Sequence, residues 1–472
     1  MTGLIKSLFS KKSKDKESKR NSTKALQADA PIILKRDAHN VSRKSISKNA
    51  LKVLYRLNDA GYHAYLVGGG VRDILLGLQP KDFDVATDAT PEEIYKLFRN
   101  CRLIGRRFRL AHILFGREVI EVATFRAGHE TSVLPNKKGN KNDHARTSDH
   151  GMLVRDNVYG SMCDDAFRRD FTVNALYYTV KDFSVVDYTQ GLRDLAERKL
   201  RLIGDPEARY TEDPVRILRA IRLSCKLNLD IESKTSAPIK SLAPLLEHVS
   251  PARLWDESNK MLLAGHAEST WNSLCEHQVA QFLFPQTISS LNNSNEPIIA
   301  QDFLSFITTA LKNTDKRIAN QQPVTPAFLF AVFLWLPQQQ LAAKLKAKGI
   351  PPYEANQKAA SKVMTIQCQS VGIPKRFSMI AKEIWALQHR LSNLRKKSVE
   401  SLIANQRFRA AYDFLCLRAG NDESLSKLAN WWTEYQEVDT QGKLKLLKEA
   451  QGNTPQKRTR KPRKKKAVKR AK

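Results

Sequence analysis

Two aspartates separated by one residue, Asp82 and Asp84, are the strongest candidates for chemistry in the sequence. If this segment is a strand, both side chains project from one face, because side chains alternate along a strand. Two neighbouring carboxylates repel each other unless a cation lies between them. Their oxygens are hard ligands that suit Mg²⁺, which usually also takes phosphate oxygens of a substrate. The pair therefore predicts a magnesium site, against the alternative of a solvated turn.

A run of three glycines, Gly68, Gly69 and Gly70, precedes the aspartates. It follows the apolar run 64–67, which predicts a short buried strand. Glycine lets the backbone turn sharply and approach a ligand closely, since no Cβ intrudes. The helix expected after this turn exposes N–H groups that favour an anion. Gly69, Gly70 and Arg72 are therefore predicted to hold a phosphate group, although a lone glycine run is more often an ordinary loop.

The glycine turn and the aspartate pair resemble the first motif of class II nucleotidyltransferases, the family of bacterial poly(A) polymerases and CCA-adding tRNA nucleotidyltransferases. The resemblance extends through Arg168-Arg169-Asp170-Phe171-Thr172 and Glu212-Asp213-Pro214-Val215-Arg216. It covers roughly residues 45–260 with distinctive motifs, and more loosely follows the poly(A) polymerases to about residue 440. The resemblance implies a DNA-polymerase-β-like head and a two-Mg²⁺ reaction that transfers a nucleotide to RNA.

The second motif lies in a segment, 164–180, that the pattern predicts to be helical. The resemblance implies that Asp170 is the third acidic residue of the site, near the ribose and the metal. It also implies that Arg169 contacts the nucleotide. On a helix, Asn174 would lie beside Asp170 because it is four residues further on, and we include it among the nucleotide-binding residues.

The third motif begins a predicted helix with arginines at three-residue spacing, Arg216, Arg219 and Arg222. The resemblance implies that Asp213 and Arg216 read the base edge, and we add Arg219 to the nucleotide-binding set. An aspartate acceptor and arginine donors can hydrogen-bond an adenine in one plane. The residues alone leave a second interpretation open, in which Asp213 caps the helix beside a solvated basic stripe.

The segment 103–113 resembles the one that separates poly(A) polymerases from CCA-adding enzymes. It places Arg106, Arg107 and Arg109 around a strand next to the site, where they could hold the triphosphate or primer phosphates. The alternative is a solvated sheet edge, which often carries basic residues. His112 is expected to be packed or hydrogen-bonded. Glu121, on the following strand, is left open between a further carboxylate near the metals and an outward-facing residue.

The formal net charge of the 472-residue chain is +31, which indicates a polyanionic partner, nucleic acid before membrane. Residues 456–472 hold eleven Lys or Arg and no acid, and Lys464, Lys465 and Lys466 are predicted to bind RNA phosphates. The six cysteines are scattered, which suggests reduced thiols, a cytoplasmic location and no structural zinc. No apolar stretch reaches the length that spans a bilayer.

The predicted fold class is α+β, with a mixed-sheet nucleotidyltransferase head followed by an all-helical neck and body and basic disordered tails. The predicted domains are a basic flexible N-terminal segment, the head, the neck with nucleotide- and RNA-binding helices, the RNA-binding body and the C-terminal tail. Their boundaries are, in that order, 1–45, 46–180, 181–250, 251–445 and 446–472.

The function that these patterns favour is template-independent addition of AMP from ATP to RNA 3′ ends, with Mg²⁺ as cofactor. A CCA-adding tRNA nucleotidyltransferase is the alternative enzyme, since it shares nearly every head motif. A non-catalytic RNA-binding protein is the alternative of another class, and the presence of both Asp82 and Asp84 argues against it. A monomer is expected, with RNA-degradation proteins as a candidate class of partner.

Overall fold

A computed structural model of the chain describes residues 30–105, 109–127, 146–147, 153–155, 158–292, 297–420 and 422–452. The chain divides into two compact units, with the boundary between Leu283 and Phe284. The first unit combines a mixed sheet with helices, and the second unit is helical throughout its described residues. This confirms the predicted α+β class, while the predicted division into head, neck and body stays a prediction.

Short strands build the sheet of the first unit and two small ribbons beside it. The strands are β1 Ile32–Leu34, β2 Ala64–Val67, β3 Asp84–Thr87, β4 Cys101–Ile104, β5 Leu110–Phe115, β6 Glu118–Thr124, β7 Arg146–Thr147, β8 Leu153–Arg155, β9 Leu176–Tyr178, β10 Val185–Asp187, β11 Lys199–Leu200 and β12 Asp230–Ile231. Among the described strands, the large sheet has the order β1-β10-β9-β2-β3-β6-β5-β4. Its strands pair antiparallel except β3 and β6, which run parallel at its centre.

The helices of the first unit cover the sheet and continue beyond it. They are α1 Lys48–Asp59, α2 Gly69–Leu75, α3 Pro91–Leu97, α4 Met162–Arg168, α5 Gly191–Ala196, α6 Pro206–Glu212, α7 Val215–Leu227, α8 Ser233–Ser236, α9 Ile239–Leu242, α10 Pro251–Leu262, α11 Ala267–Glu276 and α12 Ala280–Leu283. Short 3-10 turns lie at Arg36–Ala38, Arg43–Ser45, Thr172–Asn174 and Ala243–His248.

Local capping explains where two of these helices begin. The hydroxyl of Ser47 accepts a hydrogen bond from the backbone N–H of Ala50 at the start of α1. At the start of α3, Thr90 and Glu93 form a reciprocal capping box, and Pro91 occupies the first helical position. The apolar residues that follow, such as Leu54 in α1, are buried, so each helix begins where its cap and its inward face agree.

The prediction of one helix over 164–180 is wrong. The helix α4 ends at Arg168, because the next residue, Arg169, has extended backbone angles. The turn Thr172–Asn174 follows, and then Leu176–Tyr178 enters the sheet between β10 and β2. Burial of both tyrosines on a central strand outweighs the helical pattern, since a strand position depends on long-range pairing that local sequence does not reveal.

The prediction that residues 1–45 form a flexible segment is wrong for the last part of that range. Ile32, Ile33 and Leu34 pair antiparallel with β10 and form one edge of the sheet. Further on, Val41 is fully buried, and the imidazole of His39 lies 2.9 Å from the carbonyl oxygen of Phe183. The apolar run 31–34 therefore forms a strand despite the basic composition of the neighbouring residues.

The second unit consists of helices α13 Pro285–Asn292, α14 Pro297–Ala319, α15 Pro326–Phe333, α16 Trp335–Ala347, α17 Pro352–Ser370, α18 Lys375–Leu391, α19 Lys396–Ile403, α20 Phe408–Ala419, α21 Glu423–Glu437 and α22 Thr440–Gly452. Trp432 is fully buried in a core cluster of α18–α22, and its indole donates to the carbonyl of Leu391 at 3.0 Å. Trp431 is partly buried against the same cluster. In the described parts of both units, no helix combines the length and the apolar character needed to cross a bilayer.

Candidate active site

The glycine turn connects β2 to α2 at the centre of the sheet. Gly68 has φ +74°, a conformation that L side chains rarely adopt, so this turn requires glycine at this position. A Cβ on Gly68 would lie 3.7 Å from Arg169 Nη1 and 3.9 Å from Asp84 Oδ2. Gly69 and Gly70 form the first turn of α2, so the residue that makes the turn itself is Gly68, which the sequence analysis did not single out for a role.

The strand register places the acidic residues side by side. Val67, the last residue of β2, is paired with Asp84, the first residue of β3, and Asp84 is paired with Glu121 on β6. Asp82 lies two residues before β3. The parallel register of β3 and β6 places Glu121 directly across from Asp84, and its side chain is half exposed.

Asp84 lies near two other carboxylates, Glu121 and Asp82, and near one guanidinium, that of Arg169. Packing by the surrounding protein atoms, together with the negative charge of Glu121, raises the pKa of Asp84 to about 6. The charge of Asp82 acts in the same direction, and the guanidinium of Arg169 opposes it. The side chain nevertheless remains open to solvent, so a ligand can reach its oxygens. A carboxylate that is crowded by other carboxylates and reachable from solvent is suited to binding a cation.

The carboxylates fit a magnesium site that shares its ligands with a substrate. In the described residues, no three His, Cys, Asp or Glu side chains converge closely enough to hold a metal by themselves. Mg²⁺ commonly takes one or two carboxylates and fills its remaining positions with water and phosphate oxygens. The aspartate pair at an open glycine turn offers that donor set. The Nε2 atom of His112 lies 3.3 Å from Glu121, so the histidine contacts the acidic cluster from the next strand.

A buried network holds Arg169 next to this cluster. Its guanidinium donates to Asp165 through Nε at 3.2 Å and through Nη2 at 3.0 Å. The hydroxyl of Tyr177 accepts from Arg169 Nε at 3.0 Å and donates to Asp165 at 2.7 Å. These contacts occupy Nε and Nη2, while Nη1 lies toward Gly68. Arg169 is therefore oriented so that one edge faces Asp84 and the glycine turn.

Arg72 and Asp170 are both buried and paired with other protein groups. Arg72 is buried and donates to Asp73 at 2.6 and 2.8 Å and to the side-chain oxygen of Asn174. Asp170 accepts from the amide of Asn174 at 3.2 Å and pairs with Arg219 at 2.7 Å. Burial alone would raise the pKa of Asp170. The Arg219 guanidinium and the Asn174 amide nevertheless hold this pKa below its usual value.

The structure therefore brings Glu121, rather than Asp170, beside Asp84 across the strands. The role of Asp170 as a third acidic ligand stays a prediction, since its carboxylate already has a positive partner. Asn174 does lie beside Asp170 as predicted, although it does so on a 3-10 turn and not on a continuous helix.

Asp213 and Arg216 stand at the start of α7, but each binds a protein group. One carboxylate oxygen of Asp213 accepts from Arg253 at 2.7 Å, and the other accepts from the backbone N–H of Val215. Arg216 donates to the carbonyl of Arg209 at 2.7 Å and to Glu212. The Val215 contact resembles the predicted capping role, although the N-cap position of α7 is occupied by Pro214. Arg253, 40 residues further along the chain, had no local signal in the sequence.

Several predicted RNA-binding residues lie outside the described residues. These are Arg106, Arg107, Lys464, Lys465 and Lys466. Arg109 is described, and its guanidinium lies 2.5 Å from Glu92 at an exposed position.

Family models match three stretches of the chain. The poly A polymerase head domain matches residues 64–201, which contain the glycine turn and the carboxylates of Asp82, Asp84 and Glu121. A probable RNA- and SrmB-binding site of polymerase A matches 228–291, and the polymerase A arginine-rich C-terminus matches 348–466.

Relatives agree with these models. The chain is 48% identical over 438 residues to a poly(A) polymerase I of Salmonella typhimurium, and the match covers 92% of each chain. It is 35% identical over 232 residues to a CCA-adding enzyme of Lactobacillus helveticus, where the match covers 49% of this chain and 54% of the relative.

A solved structure shares the fold. The CCA-adding enzyme of Bacillus stearothermophilus, in complex with CTP, superposes with a TM-score of 0.51 at 22% identity, covering 86% of this chain and 88% of the other. The CCA-adding relative from Lactobacillus matches half of the chain, whereas the poly(A) polymerase match spans nearly all of it. The chain therefore belongs to the poly(A) polymerase family of nucleotidyltransferases.

Proposed function

We propose that the chain adds AMP from ATP to RNA 3′ ends without a template, assisted by two Mg²⁺ ions near Asp82 and Asp84. The observation that carries this proposal is the setting of Asp84. It lies next to the glycine turn, across from Glu121, with a raised pKa and an open side chain. A site that accumulates negative charge and leaves it accessible is arranged for cations bound together with a phosphorylated substrate.

The chain's own residues would position the reacting groups. Asp82 and Asp84 would hold Mg²⁺, whose chemistry at this site is activation of the RNA 3′-hydroxyl and neutralisation of charge on the departing pyrophosphate. Gly68 lies next to both Asp84 and Arg169, so a phosphate group held at the glycine turn would be near the carboxylate and the guanidinium. The backbone N–H groups of Gly69 and Gly70 lie in the first turn of α2, where a helix has no carbonyl partners for them, and Arg169 would add a guanidinium edge.

The choice of adenine would come from the start of α7. Asp213 offers a carboxylate and Arg216 a guanidinium, which together supply an acceptor and donors for one base. Both groups have protein partners in the structure, so contact with adenine would replace the hydrogen bonds to Arg253 and Glu212. A site built from such polar groups discriminates strongly, because a wrong base leaves them unpaired.

The experiment that tests this function is primer extension with one nucleotide at a time. A labelled RNA is incubated with the full chain, Mg²⁺ and either ATP, CTP, GTP or UTP. Long tails with ATP alone support the proposal. A product that ends after CCA when CTP and ATP are present together would indicate the CCA-adding alternative, and no extension with any nucleotide would indicate an RNA-binding protein without activity.

The second unit contains a cavity suited to single-stranded RNA. Its volume is about 1140 Å³, and aromatic rings line it together with basic side chains. Phe306, Phe328 and Trp335 are half-buried and surround the ring of Phe414 edge-on. The guanidinium of Arg418 lies 4.7 Å from the centroid of the Trp335 ring. Aromatic and guanidinium surfaces are the groups on which unpaired bases stack. We infer that this unit binds RNA.

Removal of residues 453–472 should weaken RNA binding and flatten its dependence on salt. The segment carries eleven positive charges, so its loss reduces the number of phosphates neutralised and of counterions released. Residual binding is expected, because the cavity lies in the part of the chain that remains. The measurement is RNA affinity against salt concentration for the full chain and for a chain ending at Gly452. Equal slopes and affinities would show that the tail is not part of the RNA site.

We also propose that the protein works in the cytoplasm as a monomer, with RNA-degradation proteins as a candidate class of partner. All six cysteines are free thiols in the structure, which is consistent with a reducing compartment.

A further inference from the structure

Six polar side chains of the first unit form a closed ring, which we name the polar ring. Its members are Lys226, Asp73, Arg72, Asn174, Asp170 and Arg219. Lys226 Nζ lies 3.5 Å from Asp73 Oδ2, and Arg72 donates to Asp73 Oδ1 at 2.6 and 2.8 Å. Arg72 also donates to Asn174, Asn174 donates to Asp170 at 3.2 Å, and Asp170 pairs with Arg219 at 2.7 Å. The helix α7, which carries both Arg219 and Lys226, closes the ring.

The polar ring joins three segments that have different proposed tasks. Asp73 and Arg72 lie on α2, the short helix that begins at the glycine turn. Asp170 and Asn174 belong to the second motif. Arg219 and Lys226 are seven residues apart on α7, so they lie on the same face of the helix, two turns from each other. The base-reading helix is therefore connected to α2 directly through Lys226 and indirectly through Arg219 and the second motif.

The inner members of the polar ring cannot easily rearrange. Arg72, Asp73, Asp170 and Asn174 are each at most 9% exposed. A buried charge or amide that loses its partner carries a large desolvation penalty, so each contact keeps the next one in place. The two members on α7 are more exposed, with 33% of the Lys226 side chain and 38% of the Arg219 side chain open to solvent, but loss of Lys226 leaves Asp73 with Arg72 as a partner. Lys226 is the member whose removal leaves the least buried charge behind, and it connects the far end of α7 to α2.

A purely structural ion pair is the alternative explanation of the Lys226 contact. Asp73 is buried but keeps its contacts with Arg72 when Lys226 is lost, and Lys226 itself is partly exposed, so a structural role predicts only a small loss of folding free energy. The position of Lys226 in a closed circuit predicts something else. The helix α7 also packs against α10 and α11 through buried apolar residues. Without Lys226 it loses its direct contact with α2 and is joined to that helix only through Arg219 and the second motif, so its orientation relative to the glycine turn becomes less restricted.

We propose that Lys226 and Asp73 are positioning residues that set nucleotide selectivity, by fixing the base-reading helix at a defined distance from the phosphate-binding turn. This inference rests on the proposed base-reading role of α7. Neither residue needs to touch the nucleotide. Their effect arises because a base held too loosely relative to its phosphates no longer meets the polar groups that distinguish adenine from cytosine.

The test compares kcat/KM for ATP and CTP in the full chain and in the variant Lys226→Met, which removes the charge and keeps the length of the side chain. The ratio of kcat/KM for ATP to kcat/KM for CTP should fall by about two- to fivefold, the range expected for losing one partly exposed ion pair. Most of the fall should appear in the KM for ATP. Lys226→Arg should restore the ratio, since a cation again reaches Asp73.

Two controls separate the outcomes. Lys358 forms an ion pair with Glu354 in the second unit, with 2.7 Å between Nζ and Oε1. Lys358→Met removes this pair and should leave the ATP/CTP ratio of kcat/KM unchanged. Asp73→Asn should lower the ratio in the same direction as Lys226→Met. A Lys226→Met variant with the wild-type ratio would overturn the inference, whereas the proposed function would still stand if wild-type protein makes A tails. A wild-type protein that shows no preference for ATP would instead overturn the proposed function.

Discussion

An Asp84→Asn variant should lose about 10³-fold or more in the rate of AMP addition, while melting at a higher temperature than the wild-type protein at pH 8. The rate falls because Asp84 is proposed to hold the cations that stabilise developing charge, and loss of a principal electrostatic stabiliser has effects of about this size. The two measurements are single-turnover extension of a labelled RNA and thermal unfolding without added metal.

The sign of the stability change follows from the pKa of Asp84. Its value in the folded protein is about 6, above the 3.8 of an unperturbed aspartate, so the folded chain holds the proton more tightly than the unfolded chain. Ionisation of Asp84 therefore opposes folding at pH values above both pKa values. The stabilisation by asparagine should be complete at pH 8, decline as the pH falls through 6 and disappear near pH 4.

The control is Asp88→Asn, next to the end of the same strand, whose side-chain oxygen accepts from the backbone of His63 at 2.8 Å. Asparagine retains that acceptor, so activity and melting temperature should both stay near the wild-type values. Added Mg²⁺ should raise the melting temperature of the wild-type protein by mass action, and this increase should be smaller in Asp84→Asn. Wild-type turnover in Asp84→Asn would contradict the assignment.

The sequence predicted the local parts of this site because their signals are local. Glycine at a turn with positive φ, a capping threonine before a proline, and alternating apolar residues each act over a few positions. The strand 64–67 and the helix that begins in the third motif were predicted for this reason. Family resemblance then supplied the chemistry that these short patterns could not specify.

Long-range pairing decided what the sequence could not. Glu121 was ambiguous because its neighbours on the strand do not reveal which residue lies across the sheet, and only the register with β3 places it opposite Asp84. The tyrosines at 177 and 178 fit a helical pattern, yet they complete the sheet between two strands. The contact of Lys226 with Asp73 spans 153 residues, so no local pattern contains it.

The partners of the predicted site residues also depend on the tertiary fold. Arg72 and Asp170 were predicted to face a nucleotide, but both are buried and paired with protein groups. A motif identifies which residues matter without stating whether they touch the ligand or hold another residue in place. Arg169 illustrates the distinction, because its orientation toward Asp84 depends on Asp165, a residue to which the sequence analysis assigned no role.

An Asp165→Ala variant should lose about 3–5 kcal/mol of unfolding free energy, the range for removing one partner of a buried ion pair. Asp165 accepts hydrogen bonds from Arg169, from the hydroxyl of Tyr177 and from the backbone N–H of Arg126. Its loss leaves a guanidinium and a phenol without their acceptor. Tyr177→Phe, which removes one neutral hydrogen bond, should cost only about 1 kcal/mol. Urea unfolding of the three proteins measures these differences.

The double variant Asp165→Ala with Arg169→Met separates the stability of this network from its task in the site. Removing both charges leaves no unpaired guanidinium, so the double variant should recover much of the stability lost in Asp165→Ala. It should not recover the rate of AMP addition, because Arg169 is the guanidinium held against Asp84 and the glycine turn. Recovery of both would show that the network only supports the fold. Recovery of stability alone would show that the Arg169 guanidinium is needed for AMP addition beyond its part in the fold.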